Sequence, residues 1–258
     1  MDSVTPIRLS AVIITFNEEK NIRRCLQSLK EVADEIVVVD SFSKDATESI
    51  CKEFGVRFVV HHFEGHIQQK TFAMGIAAND WILSLDADEA LSDQLKASIL
   101  EIKKGPAYDG YRMNRLTNYC GHWVRHCGWY PDTKLRLVNR KHAEWKGVNP
   151  HDRLELTGSN AAGFLPGDLL HYSYYTREDH LKQIEYFGDI ASRELYQRGK
   201  RISLLEITVK VTAQFIKSYL LNTGFLDGRT GFNVSRLSAY ATYRKYMKLR
   251  DLQRSANA

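Results

Sequence analysis

Residues Leu9–Thr15 read LSAVIIT, and residues 16–29 continue FNEEKNIRRCLQSL. The first seven are a short β-branched run, and Ile22, Leu26 and Leu29 behind them recur at helical spacing, which predicts strand, loop and helix. The pattern repeats. EIVVVD (35–40) leads to a helix over DATESICKEFG closed by Gly55, VRFVVHH (56–62) leads to a helix from Gln69 to Ala78, and WILSLDAD (81–88) supplies a fourth strand. Such alternation predicts an α/β fold: a Rossmann-like, mostly parallel central sheet flanked by helices, with ligands gathering at the carboxyl ends of the strands. Those ends carry Thr15, Phe16, Asn17 and Glu18, then Asp40, then Asp86 to Glu89.

From about Tyr108 the alternation gives way to short aromatic and basic segments that read as mixed strands and loops. Helical periodicity returns from Arg177 to Leu252, first with a stripe of Leu181, Ile184, Phe187 and Ile190/Ala191, then with a helix from about Ser203 to Leu221. A Gly-rich break, NTGFLDGRTGF (222–232), precedes a last helix. The expected division is a catalytic domain over 1–175, with a donor half at about 8–105 and an acceptor half at about 106–175, and a basic helical C-terminal region over 176–258.

The 258 residues suffice for a full core, and 43% hydrophobic with 26% charged residues excludes a disordered or fibrous chain. Arg198 to Arg254 holds 12 Lys/Arg against 3 Asp/Glu, about +9 of a net +5, so the basic character belongs to the tail. Four cysteines without disulfide-style spacing suit a reducing cytoplasm, and the N-terminus shows no export signal. The most apolar stretch, Ile202 to Leu221, contains Glu206, Lys210, Gln214 and Lys217, which excludes a membrane span.

The sharpest chemical signal is Asp86-Ala87-Asp88-Glu89 at a strand end. Two carboxylates two residues apart there can approach one hard cation, Mg²⁺ or Mn²⁺, together with phosphate oxygens. The competing reading is a charged turn in which Asp88 or Glu89 caps the helix starting near Ser92. Asp40, entered through an apolar run, is a desolvated carboxylate that needs a partner and can accept from a base or ribose edge, while Phe16 offers a stacking face. Asn17 and Asp45 read equally as helix caps.

These segments, with GHIQQKTFA, GWYPDTKLRL, NPHDRL and HYSY, resemble the family 2 glycosyltransferases of the GT-A fold. They are similar to the lipopolysaccharide-core glucosyltransferases of the WaaE/KdtX-like group. The resemblance implies that Thr15, Phe16, Asn17, Glu18 and Asp40 line the nucleotide, that Lys70 sits near the donor, that Asp86 marks the ribose and diphosphate side, and that Asp88 holds the metal. Where the family commonly has Asp-Gly-Ser, this chain has Asp40-Ser41-Phe42.

Glycosyl transfer needs the leaving diphosphate neutralised and the acceptor hydroxyl deprotonated. Arg136 is a candidate for the first task, or else a residue on an exposed strand face. Asp132 is the preferred base, against a plain turn role after Pro131. Asp152 is the second candidate, although the family often has Glu at that position. His151 either completes the metal shell or contacts the diphosphate, or satisfies a loop backbone. Cys120, His122, His126 and Cys127 are too cramped for a zinc shell and fit an acceptor-side loop better.

Ile202, Leu205, Val209, Phe215/Ile216 and Leu220 suit both packing and, with Lys210, Lys217, Arg236, Arg244, Lys245, Lys248 and Arg250, an anionic membrane surface. No nucleic-acid-binding motif accompanies the charge. The expected activity is inverting transfer of a hexose, glucose first, from a UDP-sugar to a lipid-linked or lipopolysaccharide-core acceptor. The enzyme would be cytoplasmic and peripheral on the inner membrane face. The alternatives are transfer to a polyprenyl phosphate, a nucleotidyltransferase, and a non-catalytic membrane adaptor.

Overall fold

The strand and helix alternation begins where the β-branched run predicts it. In the computed structural model, which describes residues 6–149, 151–158 and 161–255, β1 (Leu9–Thr15) leads to α1 (Ile22–Leu29) and β2 (Glu35–Asp40) to α2 (Thr47–Glu53). Next, β3 (Arg57–Val60) leads to α3 (His66–Ile76), which starts three residues earlier than expected, and β4 (Trp81–Asp86) follows. The chain continues through β5 (Glu89–Leu91), α4 (Asp93–Lys104), β6 (Gly110–Tyr119), β7 (His122–Val124), β8 (Asp132–Asn139), β9 (Ala143–Val148), β10 (His151–Leu156) and β11 (Gly163–Tyr174). Three helices end it: α5 (Arg177–Gln197), α6 (Leu204–Ile216) and α7 (Gly228–Ser255).

Two compact units form, residues 1–115 with 132–172 and residues 116–131 with 173–258. The chain passes between the units at 172/173, and the segment 116–131 belongs with the C-terminal helices.

The sheet order is β3-β2-β1-β4-β8-β6-β11-β5. The first four strands pair in parallel. Beyond β4 the pairing of β4 with β8, β6 with β8 and β11 with β5 is antiparallel, so the sheet is mixed and its parallel half is the one built by strand and helix alternation. Successive side chains of a strand point to opposite faces, and both faces are covered here. Leu9, Ala11 and Ile13 pack with Ile22, Leu26 and Ile99 on one side. Val12, Val37 and Val39 pack with Ala73, Met74, Trp145 and Leu154 on the other. A strand buried on both sides must read as a continuous apolar run, which is why these strands are conspicuous in sequence.

In the second unit α5 and α6 each start at a capping box, Thr176 with Asp179 and Ser203 with Glu206. The buried face of α5 is His180, Ile184, Gly188 and Ser192, whereas Phe187 of the expected stripe is exposed. The small Gly188 lies against the Lys248 stem of α7, so close helix approach selects this face over the bulkier one. Among the described residues no helix is long and apolar enough to cross a membrane.

Candidate active site

The site grows from the carboxyl ends of β1, β2 and β4 in the first unit. Thr15 closes β1 in parallel register with Asp40 at the end of β2. The loops beyond them are laced together: Asn17 N donates to Ser43 Oγ at 2.7 Å, Asn17 Oδ1 accepts from Lys44 N at 2.8 Å, and Glu18 N donates to Thr47 Oγ1 at 2.9 Å. Asn17 is therefore a loop clasp and caps no helix. Asp45 accepts from Thr47 N at 3.0 Å in the turn that precedes α2, whose N-cap is Ala46 with no side-chain cap bond, so the capping role expected of Asp45 is replaced by a turn role. Asp40 is buried, and Ser43 supplies the partner it needs through its backbone N and its hydroxyl.

Asn17 and Phe42 both adopt left-handed backbone, with φ of 54° and 64°. Asparagine tolerates this conformation; for a bulky phenylalanine it costs on the order of 1–2 kcal/mol. Phe16 and Phe42 are both largely exposed, on two loops that are bonded to each other through Asn17 and Ser43. No sequence signal singled Phe42 out, because its handedness is set by the loop lacing. Burial drives Glu18 up to about 7 against its bond from Asn21, helped by the nearby Asp88, Asp45 and Asp86.

At the end of β4 a chain of alternating charges runs through the interior. Lys70 Nζ of α3 bridges Asp152 Oδ2 at 2.8 Å and Asp86 Oδ1 at 3.0 Å. Arg136 Nη2 reaches Asp86 Oδ2 and Glu89 Oε1, both at 2.9 Å. Arg115 Nη1 stands 3.6 Å from Glu89 Oε1, and its Nη2 holds Asp132 Oδ2 at 2.7 Å. Glu89, 1% exposed, also accepts the Asp86 backbone N–H at 3.0 Å and so ties down the turn. Burial alone would raise the Asp86 carboxyl, but Lys70 and Arg136 outweigh it and hold it well below the usual carboxylate range.

Arg136 is buried, which corrects the exposed-face alternative. The reason is a bulge: β6 and β8 pair Tyr111 with Leu137 and Arg112 with Leu135, leaving Arg136 as an extra residue in the ladder. A bulge of this kind re-aims a side chain, here toward Asp86. The capping role offered for Asp88 and Glu89 is likewise replaced, since Ser92 caps α4 through its own hydroxyl.

Asp88 differs from Asp86. Its Oδ2 lies 3.2 Å from His171 Nε2 of β11, and the Tyr172 N–H donates to its carbonyl oxygen at 2.9 Å. Antiparallel pairing of β11 with β5 sets His171 opposite Glu89. His171 lies in the HYSY segment, but its partner is more than eighty residues away in the chain. One carboxylate and one imidazole form a donor pair that suits a divalent cation whose other ligands are diphosphate oxygens and water. The nitrogen favours Mn²⁺ over Mg²⁺, which takes oxygen. Among the described residues no group of three such side chains assembles.

Asp132 opens β8 and is held by Arg115 and by Lys134 Nζ at 2.9 Å. Burial opposes these partners, yet its carboxyl stays below the ordinary range. Asp152 lies in β10, bonded to Lys70. His151 opens β10, and its side chain, with the metal role expected of it, lies outside the described residues. Three buried polar atoms have no hydrogen-bond partner among the described residues: Thr15 Oγ1, Arg136 Nε and Trp145 Nε1. Trp145 lies beneath the Lys70 ammonium, 4.8 Å from ring centre to Nζ.

In the second unit Cys127 is buried, with its thiol toward Gly231 O, and His126 Nδ1 bonds Asp227 at 2.9 Å. Cys127 and His126 are thus tied into the fold, and among the described residues no cysteine and histidine group that could hold a metal assembles.

Residues 10–152 match the family model for Glycosyl transferase family 2. An uncharacterized glycosyltransferase of Rickettsia bellii is 32% identical over 267 residues, covering 100% of this chain and 91% of that protein. LpsC of Rhizobium meliloti, a lipopolysaccharide core biosynthesis glycosyltransferase, is 25% identical over 94% of each chain. The crystal structure of S. aureus TarS aligns with 96% of this chain and 92% of its own at 16% identity and a TM-score of 0.41, a likeness too loose to carry an argument.

Proposed function

This chain belongs to glycosyl transferase family 2, and on that premise we propose that it moves a hexose, glucose from UDP-glucose, to a hydroxyl of a lipopolysaccharide-core or other lipid-linked acceptor with inversion. The observation that carries this reading is the division of labour in Asp86-Ala87-Asp88. Asp86 is neutralised by Lys70 and Arg136, whereas Asp88 faces His171. A strand end that presents two cations beside a carboxylate and imidazole pair is built to receive a nucleoside diphosphate.

The nucleotide would lie across the ends of β1 and β2. Phe16 and Phe42 would face the base, Asp40 and Glu18 its polar edge and the ribose, and Thr15 Oγ1 and Arg136 Nε would gain the partners they lack. A divalent ion held by Asp88 and His171 would supply Lewis-acid neutralisation of the departing diphosphate. Arg136 would hold positive charge on the same leaving group without reorganisation, and Lys70 would add its ammonium by turning from Asp152 toward the diphosphate.

The base is a carboxylate of the network. Asp132, clamped by Arg115 and Lys134 and held low, is a weak proton acceptor; Asp152 has Lys70 as its charged partner, and a diphosphate that draws Lys70 away would release it. Asp152 is accordingly the better base of the two. The location that goes with such an acceptor is cytoplasmic, peripheral on the inner face of the membrane, and LpsC, similar over its length, is named for lipopolysaccharide core biosynthesis.

Calorimetric titration with UDP in the presence of Mn²⁺, Mg²⁺ or chelator tests the donor site. Metal-dependent binding is expected in the native chain, with loss of binding in Asp40→Ala and loss of metal dependence in Asp88→Ala. Folded protein that binds no nucleotide would favour the adaptor reading instead.

A further inference from the structure

The apolar stripe of the C-terminal helices is not packed away. Ile202 and Ile207 are buried with Leu249. Leu205, Val209, Ile216, Leu220, Leu221 and Leu226 are exposed, Leu205 at 75% and Leu221 at 74%. Positions 205, 209, 216 and 220 recur at the spacing of one helix face, which the turn Lys217–Leu221 extends beyond α6. Water-exposed leucines in a contiguous row mark an interaction surface.

Charge identifies the partner. From Lys200 to Phe232 the chain has Lys200, Arg201, Lys210, Lys217 and Arg229 against Glu206 and Asp227. Asp227 is buried and bonded to His126, and Glu206 caps its own helix. Two cations farther along α7 differ: Arg244 and Lys248 are already paired with Glu185 and Asp189. An apolar groove of about 440 Å³ lies between α6 and α7, lined by Val211, Phe215, Tyr240 and Tyr243 with Arg236. A second copy of the chain would bring the same basic rim against itself, and like charges repel.

We propose that this face of the second unit docks on an anionic lipid bilayer, its leucines entering the acyl boundary and its cations meeting the headgroups. The inference rests on the proposed function in taking the acceptor to be held in a membrane. Flotation of the full chain with vesicles of phosphatidylcholine, with and without phosphatidylglycerol, tests it. The native chain floats with the anionic vesicles, less so as salt rises. Leu205→Asp/Leu220→Asp/Leu221→Asp loses roughly a hundredfold or more in partition while keeping native circular dichroism.

Lys210→Glu/Lys217→Glu lowers the preference for phosphatidylglycerol, a second reading should the leucine variant misfold. Failure of the native chain to float, or undiminished flotation of both variants, overturns the inference. So does a native dimer that floats with neither vesicle and that the leucine variant dissociates. UDP titration of the same samples separates the two ideas: a chain that binds UDP but does not float keeps its proposed function and loses this surface.

Discussion

In the first unit Lys70, Arg136 and Glu89 are buried beside an apolar sheet, with every charge matched by a neighbour. In the second, the ion pairs Arg244–Glu185 and Lys248–Asp189 lie near the surface, and exposed leucines form the unusual feature. Desolvating a charge costs several kcal/mol per ion and a hydrophobic replacement is often as stable, so a buried network is poorly explained by stability alone. The same holds in reverse for leucines left in water. Each unit departs from the packing rule in the direction its proposed ligand would reward: a charged diphosphate in one, an acyl layer in the other.

The contrast can be broken most forcefully at Arg136. Arg136→Ala strands Asp86 and Glu89 without their shared cation, and about 3–5 kcal/mol of stability should be lost in urea denaturation. A loss under about 1 kcal/mol would mean that water reaches the network and that it is buried in name only.

The pH dependence of the metal-free protein sharpens the comparison, because the two units carry slopes of opposite sign. Glu18 has its folded value raised to about 7 from 4.5, so its contribution to stability is full at low pH and is lost as pH rises through that window. His180 of the second unit, lowered by burial to about 4 from 6.5, contributes fully at neutral pH and loses that contribution as pH falls through its own window. Glu18→Gln should flatten the first slope and His180→Phe the second, each by on the order of 2–3 kcal/mol across its range. Denaturation midpoints followed between pH 4 and 8 read both; a common sign would sink the distinction. The smallest effect belongs to Arg244→Ala, whose partly exposed pair with Glu185 should be worth about 1 kcal/mol or less by thermal denaturation.

Much of the first unit is legible in the sequence. A parallel strand covered on both faces has to be apolar throughout, so LSAVIIT, EIVVVD and WILSLD announce themselves, and the polar residues that end them mark the rim where ligands gather. Lys70, Asp86, Arg136 and Asp152, assigned separately to donor and base roles, do meet in one network. Less could be read of Arg136, because the ladder slip that turns it inward is a property of two paired strands. Glu89 looked like a helix cap because Ser92 and Glu89 are both plausible in one dimension. His171 was passed over for want of its partner Asp88.

For the C-terminal region, the sequence supplied an apolar stripe and an excess of cations but not their fates. Helical periodicity says which residues share a face; it does not say whether another surface covers that face. Burial of Ile202 and Ile207, exposure of Leu205 and Leu220, and the pairing of Arg244 and Lys248 with α5 were all decided by how α5, α6 and α7 pack. Local propensity and the period of hydrophobic residues suffice to set the elements, the strand ends and the residue types available at them. Tertiary structure alone decided which charges face one another and which leucines face water. Both depend on contacts between residues tens of positions apart, and such contacts leave no periodic trace along the chain.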